Sequence, residues 1–132
     1  MLFRSRAIDA DPNNANNLGN YSQLLFATGQ DEAGIALVTR ALSLAGTDEK
    51  PLVAECRFYL FAHSPERRRE SGEELRDLLA AGVTTGSWSF ESDLEHLRRE
   101  EDPRYDLVRD VADALRSGDT RTLEARGEWY TL

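Results

Sequence analysis

The chain has 132 residues, 40% of them hydrophobic and 30% charged, with 24 acidic against 16 basic side chains for a formal net charge of −8. That length suits one domain of the usual size, roughly 100–150 residues, and the acidic balance argues against a surface that wraps nucleic-acid phosphate. No apolar run reaches the roughly 18 residues of a membrane span, no leader pattern opens the chain, and the single cysteine, Cys56, leaves no internal disulfide, so a reducing, cytoplasmic setting is expected.

Taken in chain order, the elements are helical almost throughout, because apolar residues recur at helix spacing and alternating β-branched stretches are missing. Residues 2–10 form a first short helix carrying Leu2, Phe3, Ala7 and Ile8, ended by Asp11-Pro12, since the residue before proline is pushed out of the α region. Asn13 or Asn14 caps a second helix over about 14–28, which buries Leu18, Tyr21 and Leu25 and stops at Gly29. Asp31 opens a third, about 31–45, and Gly46-Thr47-Asp48 turns the chain into a fourth, about 49–63. Leu52, Val53, Cys56, Tyr59, Leu60 and Phe61 nearly encircle that fourth helix, which predicts burial on more than one side.

Ser64-Pro65-Glu66 reads as a cap, a proline at the first helical position and an acid, so a fifth helix is expected from there to about 81. Ser71-Gly72-Glu73-Glu74 also reads as a capping box, which allows a start one or two turns later. The basic run in "PERRRE" at 65–70 is flanked by glutamates and reads as a solvated helix face. Phe90 and Leu94 begin a sixth helix after the loop that holds Trp88. Pro103 begins a seventh, with Leu107, Val108, Val111, Ala112 and Leu115 in phase, ending at Gly118. Residues 119–132 make a short helix or tail in which Trp129 and Tyr130 are available to fold back.

A period runs under this pattern. Arg6-Ala7-Ile8 recurs 34 residues later as Arg40-Ala41-Leu42, and at the same offset Leu18 matches Leu52 and Leu25 matches Tyr59. With Ala15 as the first position, a full unit follows without a gap: Leu18 at a large position, Tyr21 at an apolar one, Ser22 at a small one, Leu25 at a large one. Gly34, Val38 and Ala41 continue the small–large–small order in its second helix. These residues, with "AIDADPNN" before them, resemble the tetratricopeptide (TPR) repeat family. The resemblance covers roughly residues 2–63 and implies a superhelix of paired helices, with 2–12 as a half repeat, 13–46 as a repeat, 47–81 as a degenerate repeat and 82–132 as a helical C-terminal extension. Leu18-Gly19-Asn20-Tyr21 departs from the family pattern, with its tyrosine one residue nearer the glycine than is usual, and Arg68 stands where a small residue belongs. The physical basis is packing, in which small residues let paired helices approach and large ones fill the gap between them. The last part of the chain looks like an extension seen in some bacterial TPR proteins, and a terminal element that covers the last apolar face is what a repeat stack requires.

No catalytic or cofactor constellation emerges. His63 reads as a partner for the C-terminal end of its helix, His96 as a surface residue, and Cys56 as core filler. There is no Cys-x-x-Cys, no His-Glu-x-x-His and no glycine-rich phosphate loop. The expectation is therefore a non-enzyme without metal or cofactor that binds a protein or peptide, not nucleic acid or membrane. In the TPR register the first helices of successive repeats line a groove. That places Asn16, Gly19, Gln23, Phe26 and Ala27 beside Lys50, Val53, Arg57, Leu60 and Phe61, with Asn20 adjacent, and Arg57 able to grip a carboxylate through two N–H groups. The half repeat leaves Leu2, Phe3 and Ile8 as an apolar edge that calls for a second copy or for upstream repeats. A second reading is a small acidic inhibitor or immunity-type protein, steered by charge onto a basic partner.

Overall fold

In the computed structural model, which describes residues 15–46, 48–86 and 88–131, the helical periodicity becomes a succession of short-linked helices, and no strand occurs among the described residues. The expected half repeat at 2–12 and its edge of Leu2, Phe3 and Ile8 lie outside the described residues. The first described helix is α1 (Ala15–Ala27), followed by α2 (Asp31–Leu44) with Asp31 and Glu32 in its first turn, where carboxylates meet the positive end of the helix. Next come α3 (Lys50–His63), with Pro51 in its first turn, and α4 (Arg68–Ala80). Then follow α5 (Glu91–Arg99), α6 (Tyr105–Ser117), the single turn α7 (Arg121–Glu124) and a 3-10 turn at Gly127–Tyr130. α6 ends on Gly118, whose φ of 81° suits a residue without Cβ and whose N–H donates to the Ala114 carbonyl.

Two starts differ from the sequence expectation. α4 begins at Arg68, not at Pro65, because residues 65–67 close a separate turn in which the Arg67 N–H donates to the carbonyl and Oγ of Ser64. α6 begins at Tyr105, not at Pro103. There Asp102 holds the preceding turn, its Oδ1 accepting from the Arg104 N–H at 2.8 Å and its carbonyl from the Tyr105 N–H.

α1 packs along α2 and α3 along α4, and α2 packs against α3, so the first four helices form two linked hairpins. α5 then returns to lie on α1, and α6 lies on α3 and α5. α3 is accordingly central, with Leu52, Ala54, Cys56, Phe58, Tyr59, Leu60, Phe61 and Ala62 all buried, as its nearly continuous apolar circumference predicts. Trp129 does fold back: it is buried edge-on against Phe61, and its carbonyl accepts from Arg76 of α4.

Gly34 sets how closely α2 approaches α1. A Cβ built there would stand 2.7 Å from Cε1 of Phe26. That ring has nowhere to go, because it is fully buried and stacked on Tyr59 and on His63 at centroid distances of 4.9 and 4.4 Å. Alanine has the better helix propensity by about 1 kcal/mol, but overpacking a filled core costs about 1–3 kcal/mol. Gly34→Ala is therefore expected to lower stability by about 1 kcal/mol in urea denaturation. A more stable variant would mean that the Phe26 ring has room to yield.

Candidate functional site

The residues expected to line a groove fall into three groups. Asn20 and Lys50 are exposed, Ala27 and Val53 half-buried, and Asn16 lies in α1. Gly19 is buried, 3.6 Å from Leu52 when a Cβ is built on it. Phe26, Leu60 and Phe61, by contrast, are fully buried. Phe61 is covered by Trp129 and by the Arg104 guanidinium, which sits 4.7 Å above the ring. Gln23 is committed too, its side-chain N–H donating to the Ser89 carbonyl at 3.0 Å. Arg57, expected to face a ligand carboxylate, is held by α4 instead: Nε lies 2.7 Å from Glu74 Oε2 and Nη1 lies 3.5 Å from Glu70 Oε1. Of the apolar part of the expected groove, Phe61 is thus covered from the C-terminal third, whereas Phe26 is closed in by Gly34, Tyr59 and His63.

The densest polar geometry lies where three helix ends meet. His63, in the last turn of α3, is nearly fully buried and is engaged on both ring nitrogens. Nε2 is 2.8 Å from each carboxylate oxygen of Asp93, in the first turn of α5, and Nδ1 is 3.2 Å from Oδ2 of Asp31, the first residue of α2. Asp93 is itself completely buried, whereas the Asp31 side chain is 44% exposed. A cation at a helix C-terminus and anions at two helix N-termini all complement the backbone dipoles. Burial by itself would lower the His63 pKa, but the hydrogen bond and charge of Asp93, with those of Asp31, outweigh it and raise the pKa above its ordinary value. His63 is therefore the pin of a three-helix junction, a larger role than that of a lone partner for its own helix end.

Beside the junction an open cleft of about 420 Å³ is lined by Asp31, His63, Arg68, His96, Glu100 and Asp102 among others. His96, expected on the surface, is half-buried in this wall and passes close to Gly29. Among the described residues no group of three or more His, Cys, Asp or Glu side chains is disposed to hold a metal ion. Cys56 is buried, and burial pushes its thiol up to about 12, so the nucleophilic thiolate is suppressed at neutral pH.

One acid of α3 is displaced the other way from a stabilising role. Partial burial raises the Glu55 carboxyl from 4.5 to about 7. A folded-state pKa above the unfolded one means that the protonated form favours folding, with the benefit present below about 4.5 and lost as pH rises through about 7. Glu55→Gln is accordingly expected to be more stable than the parent at pH 8, by about 1 kcal/mol once solvent screening of a partly exposed group is allowed for. At pH 4 it should be no more stable, and chemical denaturation at the two pH values checks the difference.

No protein-family model, curated protein or solved structure matches the chain. No described helix is long and apolar enough to cross a membrane.

Proposed function

We propose that the chain is a non-catalytic, TPR-like scaffold that binds a protein or peptide partner through the first helices of its two hairpins. The observation that carries this reading is that positions 34 residues apart play the same part in successive hairpins. Leu18 and Leu52 are both buried, as are Leu25 and Tyr59, and small Gly34 admits a large neighbour at the seam. Asn20 and Lys50 are exposed beside that seam and mark the face proposed to meet a partner. A non-catalytic role is supported by the engagement of both His63 nitrogens and by the buried Cys56 thiol, which leave neither group poised for a substrate.

Lys50 is the one lysine in the chain, so an amine-reactive crosslinker added during affinity capture from native lysate reports on that face and on the terminal amine alone. Crosslinks from Lys50 to a captured protein, weakened by Asn20→Ala, are expected. Capture with no adduct at Lys50 and no effect of Asn20→Ala counts against the proposed face. The acidic-inhibitor reading rests on the net charge of −8 and is separated by salt: it requires binding that falls steeply with ionic strength.

A further inference from the structure

We propose that His63 is a proton-operated clasp: doubly protonated, it ties α2 and α5 to the end of α3, and loss of one ring proton leaves the buried Asp93 without a counter-charge and loosens α5 where it lies on α1 and α6. Only an imidazolium has an N–H on both nitrogens, and here both nitrogens face carboxylates, Asp93 at 2.8 Å and Asp31 at 3.2 Å. A neutral ring must abandon one of them. If it abandons Asp93, a completely buried carboxylate loses its hydrogen-bond donor. If it abandons Asp31, the tie to α2 is lost.

α5 is the element that such a change would release. It has nine residues and buries only two of them, Asp93 and Leu97, so a large part of its docking runs through one charged side chain. Phe90, just before it, the Gln23–Ser89 bond and its packing on α1 and α6 are its other anchors. α2 presents Asp31, α5 presents Asp93 and His96, and α4 presents Arg68. The turn after α5 adds Glu100 and Asp102, while α1 contributes the stacked Phe26 ring. Acids outnumber the one arginine, which favours the charged ring and agrees with the raised pKa of His63. Loosening α5 draws Phe90 away from Phe58 and Tyr59, against whose rings it packs at centroid distances of 4.0 and 5.6 Å. The inference stands on these contacts and holds whether or not the scaffold reading does.

Hydrogen exchange of the intact chain between pH 6 and 9, corrected for intrinsic rates, tests the clasp. Peptides covering 91–99 are expected to lose protection by about ten-fold across that range, while α6 keeps its protection. Asp31→Asn, at a half-exposed side chain, should retain the fold and move the loss to lower pH. His96→Gln should leave the profile unchanged. Protection at 91–99 that is flat with pH, a profile that Asp31→Asn fails to move, or one that His96→Gln abolishes would each overturn the proposal.

Discussion

Phe26→Ala is expected to remove about 3–5 kcal/mol of stability, the range for deleting a fully buried phenylalanine, measured as a lower urea midpoint with an unchanged slope. The ring belongs to α1 but touches two other helices at once. It closes on Gly34 of α2 and stacks on Tyr59 and His63 of α3, the latter at an interplanar angle of 16°. Neighbours on two helices would have to move together to refill the space, so a cavity should persist and the loss should lie toward the upper end. Phe26→Leu keeps much of the volume and should cost under half as much. A loss below about 1 kcal/mol for the alanine variant would mean that the α1–α2 hairpin is not seated on α3 as described.

Much of the architecture was legible because helix boundaries are written in local chemistry. Gly118 ends α6 and Asp31 opens α2 within one residue of where the spacing puts them. The start of α4 falls one turn after Pro65, the later alternative, for an equally local reason. Ser64-Pro65-Glu66 has the composition of a helix start, yet the Ser64 hydroxyl closes a turn of its own and the helix begins at Arg68. The groove expectation went astray over residue type: Phe26, Leu60 and Phe61 are too apolar to remain open, and for Phe61 the C-terminal third supplies the cover. His63 was hardest to read, since its partners lie 32 residues before it and 30 after it. The available signal was electrostatic: a histidine in the last turn of one helix, and aspartates in the first turns of two others.

Asp93→Asn tests that junction energetically, separately from the motion of α5. The substitution preserves shape but leaves the buried His63 with one carboxylate in place of two, and breaking a buried pair costs about 3 kcal/mol. The cost should depend on pH in a definite direction. The folded-state pKa of His63 is raised above its ordinary 6.5, so the stability it contributes is fully present below about 6.5 and is lost as pH rises through the folded value. The parent therefore has most to lose at pH 6. At pH 9 a neutral ring can still donate one hydrogen bond to either side chain, and the gap between parent and variant should close to about 1 kcal/mol or less. Urea denaturation of both proteins at the two pH values measures it. A gap that widens toward pH 9 would mean that His63 is neutral in the folded protein, with the proton shared between Asp93 and Asp31 in some other way.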